Sequence, residues 1–190
     1  MRTFKLTLVL LLVAASLSPT QSQAQKRPMT FDDMMAMKRL GDTAVSPDGQ
    51  WLAYAVTTID LDQNQKKTEW WLQKIAGGEP QKIAVTQPGD SGVQFAPNGK
   101  HILFISSRKG SQQIWIAAFD SDTGAATYPS QLTFLATGAD SAKWSPDSQS
   151  IVFLPTVYPD CPDITPNEST PGNQCNADRA AALKDSKVKA

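Results

Sequence analysis

The chain has 190 residues with 18 basic and 18 acidic side chains, so a basic nucleic-acid-binding surface is excluded as its organising feature. A single histidine, His101, confines imidazole chemistry to one place, and two cysteines, Cys161 and Cys175, are too few for a four-thiolate zinc site. The hydrophobic fraction of 41% is that of an ordinary globular protein, and the length suits one domain.

Residues 1–24 read as a secretory signal. Arg2 and Lys5 precede an apolar run from Leu6 to Leu17, shorter than the roughly 20 residues a membrane span needs. Ser22-Gln23-Ala24 is a small-x-small cleavage site, which places the mature start at Gln25. An uncleaved anchor is the alternative, and the polar TQSQAQKR that follows argues against it. Export to the periplasm or beyond would put the cysteines in an oxidising compartment. Residues 25–41 form a lead and a short helix. Thr30-Phe31-Asp32-Asp33 is its capping start, Lys38 and Arg39 suit its C-terminal end, and Gly41 can close it. Phe31, Met34, Met35 and Met37 make its apolar face, either a docking surface or a face packed on its own domain.

A repeat then occupies residues 42–155. Ser46-Pro47-Asp48-Gly49 recurs as Ala96-Pro97-Asn98-Gly99 and as Ser145-Pro146-Asp147-Ser148, at spacings of 50 and 49. Proline presets φ for the first central position of a type I turn, Asp or Asn tolerates the next, and glycine takes the left-handed conformation that releases the second strand. Ser148 stands where glycine is expected, so the third copy is either strained or turned differently.

After the turns come WLAYAV from Trp51, HILFIS from His101 and IVFLPT from Ile151. These are near-continuous apolar runs, the mark of strands covered on both faces. A third strand follows at Glu69-Trp70-Trp71-Leu72 and at Gln113-Ile114-Trp115-Ile116. Glycine-containing connections (Gly77-Gly78; Gly124) lead to a fourth, around Lys82–Val85 and Gln131–Thr133. Four strands per fifty residues is a β-propeller blade, whereas a β-sandwich needs no such self-similarity. The fold expected is all-β: an incomplete propeller of two four-stranded blades (about 42–90 and 91–139) and the start of a third (140–155). Since propellers close with four to eight blades, the chain should be part of a longer protein, assemble with other copies, or be unstable.

Candidate chemistry is sparse. No G-x-S-x-G nucleophile elbow occurs. His101 opens a strand beside Lys100, where a structural role outweighs a catalytic one. Cys161 and Cys175 read as a disulfide, with a catalytic thiol as the rival that would want a nearby histidine. Asp160, Asp163, Glu168 and Asp178 form either a solvated acidic loop or a calcium site, although Pro162 and Pro166 interrupt them. Asn167-Glu168-Ser169 is a glycosylation sequon. Trp70 and Trp71 must point to opposite faces of their strand, so one belongs in the blade core and one at its edge. Residues 156–190 are a cysteine-containing insertion ending in a mostly polar helix, with Asn176 as its cap.

The order of these features resembles the start of a secreted prolyl oligopeptidase-family serine peptidase, of the dipeptidyl-peptidase or acylaminoacyl-peptidase branch. The residues that carry it are MTFDDMMAMKRLGD, SPDGQWLAYAV, EWWLQKIAGGEPQKI, and VYPDC followed by QCNAD. That resemblance implies a propeller capping an α/β-hydrolase domain that holds the catalytic serine, acid and histidine. The propeller would restrict access, so that short peptides are preferred. On this reading the chain contributes the gate and part of the substrate chamber. Its partners are the remainder of the propeller and the hydrolase domain. No catalytic residue can be assigned here, and neither cofactor, metal nor nucleic acid is implied, nor a membrane beyond the signal. Two other readings remain: a non-enzymatic periplasmic propeller that binds proteins, and an inactive truncated fragment.

Overall fold

The computed structural model of the chain describes residues 27–162, 164 and 170–185. The signal and its cleavage point between Ala24 and Gln25 lie outside the described residues, as do Asp163, Glu168 and the sequon. Two units are distinguished, residues 1–34 and residues 35–190.

In the first unit, Thr30 and Asp33 make a reciprocal cap at the start of helix α1 (Phe31–Ala36). The Thr30 amide donates to the Asp33 carboxylate at 2.9 Å, and the Asp33 amide donates to the Thr30 hydroxyl at 3.2 Å. The Arg27 guanidinium pairs with the same carboxylate, Nη2 to Oδ1 at 2.6 Å, and with the Thr30 bonds it holds Asp33 far below the usual carboxylate range. No residue of α1 is buried; Phe31 and Met34 are exposed and Met35 is half-buried. The helix ends sooner than the sequence suggests. Arg39 and Gly41 belong to the first strand, where a Cβ at Gly41 would stand 3.3 Å from the Ala55 Cβ.

The second unit is all-β, an incomplete propeller. Blade 1 comprises β1 (Arg39–Val45), β2 (Trp51–Asp60), β3 (Gln65–Lys74) and the two-residue β4 (Gln81–Lys82). Blade 2 comprises β5 (Ser91–Phe95), β6 (His101–Ser106), β7 (Gln113–Asp120) and β8 (Ala125–Gln131). Both are antiparallel meanders in sequence order. β9 (Ala139–Trp144) and β10 (Ile151–Pro155) form a two-stranded third sheet, followed by helix α2 (Pro171–Asp185). The first strand of blade 2, β5, contacts both β1 and β9, so the first strands run along the inner side of the arc.

Two of the sequence boundaries shift. The fourth strand of blade 2 lies at 125–131 rather than 131–133, because the strand leaves the Gly124 turn immediately and Trp115 is already opposite Gln131. The third repeat is also offset by one. Ile151 pairs with Trp144 as Leu52 pairs with Val45 and Ile102 with Phe95, so Ser150, not Ile151, is the counterpart of Trp51 and His101.

Burial follows position in the arc. β6, in the middle blade, is buried from Ile102 to Ser106, whereas β2 alternates and β10 leaves Val152 and Leu154 largely exposed. Continuous two-sided burial therefore holds only for the blade with a neighbour on each side. One core joins blades 1 and 2 and contains Trp51, Ala53, Trp70 and Leu72 together with Phe95, Phe104, Trp115 and Phe119. A second joins blade 2 to the third sheet through Leu103, Ile114, Leu135 and Ala142, with Ile151 and Phe153 packed against them.

Candidate functional site

Three turns stand together at one end of the arc. The amides of Gly49, Gly99 and Ser148 each donate to the carbonyl three residues back, at 2.8–2.9 Å. All three residues are left-handed, with φ of 69°, 70° and 62°. Ser148 thus keeps the turn that glycine makes elsewhere and accepts the strain. Its hydroxyl accepts a 3.0 Å bond from the Asn98 amide of the neighbouring turn. In the outer copies the serine organises the corner. Ser46 Oγ donates to Asp48 at 2.5 Å and accepts from the Trp51 amide at 2.9 Å, and Ser145 does the same with Asp147 and the Ser150 amide. These hydroxyls hold the Asp48 and Asp147 carboxyls below their ordinary range. In the middle copy Ala96 has no hydroxyl, and Asn98 Oδ1 alone accepts, from the Lys100 amide at 2.9 Å.

Polar joints between blades account for residues that the sequence did not single out. Arg108, in the β6–β7 loop, reaches blade 1: its guanidinium meets Asp90 at 2.5 Å and the Val85 carbonyl at 3.0 Å. The same group lies over the rings of Trp115 and Phe104, 4.7 and 5.1 Å from their centroids. Both partners are largely withdrawn from water, Asp90 at 4% side-chain exposure and Arg108 at 13%. Trp51 of blade 1 donates its indole N–H to the Ser121 carbonyl of blade 2 at 2.7 Å. Gly124 closes that contact: a Cβ there would stand 2.6 Å from the Trp51 ring. In the sequence Arg108 stands two residues after the buried strand β6, a pattern too common to single it out.

Trp70 and Trp71 divide as their strand geometry requires. Trp70 is buried and donates to the Asp90 carbonyl at 2.9 Å, while Trp71 is half-buried under the Lys82 ammonium, 5.3 Å from its ring. Cys161 and Cys175 form a disulfide. Cys175 and Asn176 lie inside α2, not before it. The cap is Thr170, whose hydroxyl accepts from the Asn173 amide at 3.3 Å, and Pro171 takes the first helical position. Asn176 is instead buried: its Oδ1 accepts from the Tyr158 amide at 2.7 Å, and its Nδ2 donates to Gly172 at 2.7 Å. Asn173 bonds the Ala136 amide at 2.7 Å and the Phe134 carbonyl at 2.9 Å. Amide side chains thus fasten a mostly polar helix to the segments that flank the third sheet.

His101 is half-buried and lines a cavity with Ile116, Trp144, Ser148, Ile151 and Phe153. No carboxylate lines that cavity, and the Ser148 hydroxyl is engaged by the Asn98 amide, so serine and histidine share a wall without the oriented acid of a triad. Asp160 pairs with Arg179, and Asp178 accepts from Gln174 at 2.9 Å. Among the described residues, no group of three or more His, Cys, Asp or Glu could hold a metal ion. No helix among them is long and apolar enough to cross a membrane.

This architecture can be compared with known proteins. No family model matches the chain. Dipeptidyl-peptidase 5 of Porphyromonas gingivalis is 27% identical over 101 residues, which is 53% of this chain and 15% of that protein. An uncharacterized peptidase of Bacillus subtilis, YuxL, is 26% identical over 128 residues, 67% of this chain and 19% of that protein. The chain is similar to the propeller part of a prolyl oligopeptidase-family peptidase. Among solved structures, the acylaminoacyl peptidase of Pyrococcus horikoshii superposes with a TM-score of 0.50 at 21% identity, over 69% of this chain and 19% of that one, a likeness of fold. The chain therefore spans less than a fifth of the length of each of these peptidases.

Proposed function

We propose that this chain is the N-terminal propeller portion of a secreted serine peptidase that acts on short peptides. It would form part of the gate and chamber wall, with the acyl-serine chemistry supplied by an α/β-hydrolase domain. The observation that supports this is the stacking of the repeated blades in an arc, with the first strand β5 against both β1 and β9, in a chain whose relatives are peptidases. The proposed organisation is a leader at 1–24, a lead and helix at 25–41, blades at 42–155, and a disulfide-held insertion at 156–190. Periplasmic or extracellular placement follows from the leader.

Turnover of dipeptidyl and acyl-amino-acid chromogenic substrates by the purified chain tests the reading. None is expected, because no carboxylate lines the cavity that His101 shares with Ser148. Turnover abolished by a serine-directed phosphonate would overturn it.

A further inference from the structure

In blades 1 and 2 the second strand is paired on both edges, β1-β2-β3 and β5-β6-β7. β10 is the second strand of its repeat, yet among the described residues it pairs with β9 alone. The complete blades show which of its backbone groups face the other edge. The Ile75 amide bonds the Gln50 carbonyl and the Phe119 amide bonds the Lys100 carbonyl, both at 2.8 Å across to the third strand. By two-residue periodicity Leu52 and Ile102 share that direction, and so do their counterpart Ile151 and, two residues on, Phe153. Pro155, next in phase, has no N–H and ends the usable edge.

The same registers specify what sits opposite. Phe104 faces Trp115, and Tyr54 faces Trp71; these are the counterparts of Phe153. Leu103 faces Ile116 and Ala53 faces Leu72, the counterparts of Val152. Ile105 faces Ile114 and Ala55 faces Trp70, the counterparts of Leu154. Read along the third strand, the pattern is Glu or Gln, Trp or Ile, Trp, then Leu or Ile.

Behind the edge lies a cavity. The side chains of Ile151 and Phe153 turn toward blade 2, and the space they share with Ile116, Leu132 and Trp144 has a volume of about 380 Å³. In the joint between blades 1 and 2 the third strand supplies Trp115, stacked on Phe104 at 6.4 Å, and Phe119, edge-on to Phe95, the counterpart of Trp144, at 5.0 Å. The indole N–H of Trp144, in the cavity wall, is buried without an acceptor.

We propose that the open edge of β10 is an acceptor for one antiparallel strand of this pattern, the third strand of its own repeat, whose central tryptophan lies opposite Phe153 and enters the cavity. The proposal rests on reading the chain as part of a propeller. Its test reads binding rather than hydrolysis, so its failure would leave the peptidase reading to be judged separately.

The probe is a synthetic peptide with the sequence of Ser111–Asp120, added to the purified full chain. One-to-one binding is expected, at least tenfold weaker when the peptide carries Trp115→Ala. Hydrogen exchange should show new protection at the Ile151 and Phe153 amides. The proposal is overturned by absence of binding, by equal binding of the alanine peptide, by protection confined to Tyr54 and Trp71 on blade 1, or by a homodimer using β10 that the peptide does not dissociate.

Discussion

The hydroxyl of Ser148 accepts a hydrogen bond from the backbone amide of Asn98, one repeat earlier, at 3.0 Å. A residue that breaks the turn pattern thus ties its turn to the preceding one. Strain and bond can be separated by substitution. Ser148→Gly and Ser148→Ala both lose the bond, but only the alanine stays strained. Ser148→Ala should be the less stable of the two by about 1 kcal/mol, read from denaturant midpoints. Equal midpoints would contradict the left-handed backbone.

The joint between blades 1 and 2 should depend on the Arg108–Asp90 pair. Removing one partner leaves a buried charge, which costs about 3–5 kcal/mol. Asp90→Ala should therefore be severely destabilising, and the Asp90→Ala, Arg108→Met double variant less so than the sum of the singles. An additive double-mutant cycle would show the two groups to be independent.

Gly124→Ala meets two penalties: a φ of 75° and a Cβ 2.6 Å from the Trp51 ring. Overpacking of this kind costs about 1–3 kcal/mol. The Trp51 fluorescence environment should change with the melt. An unchanged midpoint would contradict this close approach.

Acid should destabilise the corners. Hydrogen bonds lower the Asp48, Asp147 and Asp120 carboxyls, and the Lys82 and Lys67 ammonium groups lower Glu69. A carboxyl depressed in the folded state contributes stability above its unfolded pKa of about 4 and loses it as pH falls through the folded value. Midpoints should therefore be flat near neutrality and fall below about pH 4. Asp48→Asn with Asp147→Asn should flatten that fall.

The disulfide closes a loop with a sequence separation of 14, a constraint worth about 3 kcal/mol in the chain-entropy model. Thiol titration of the denatured chain should find no free thiol without reductant and two after reduction. Two thiols in the unreduced chain would refute the bridge.

Turn chemistry made the repeat legible, because Pro-Asp-Gly and Pro-Asn-Gly have few alternatives. The tryptophan pair was legible too, since alternation leaves Trp70 and Trp71 no common face. The one-residue offset at Ile151 was not, because an apolar run carries no register of its own. Asn176 looked like a cap on its residue type, but burial and a bond to the Tyr158 amide decide its role. The Arg108–Asp90 joint depends on two loops meeting across blades, which no local pattern encodes.

Stacked blades in which, among the described residues, β10 pairs with β9 alone require a specific order of backbone protection, and hydrogen exchange of the intact chain measures it. The Ile102 and Phe104 amides of the enclosed β6 should exchange slowest, and those of Ile151 and Phe153 at the free edge of β10 much faster. Equal protection of β6 and β10 would contradict the open arc.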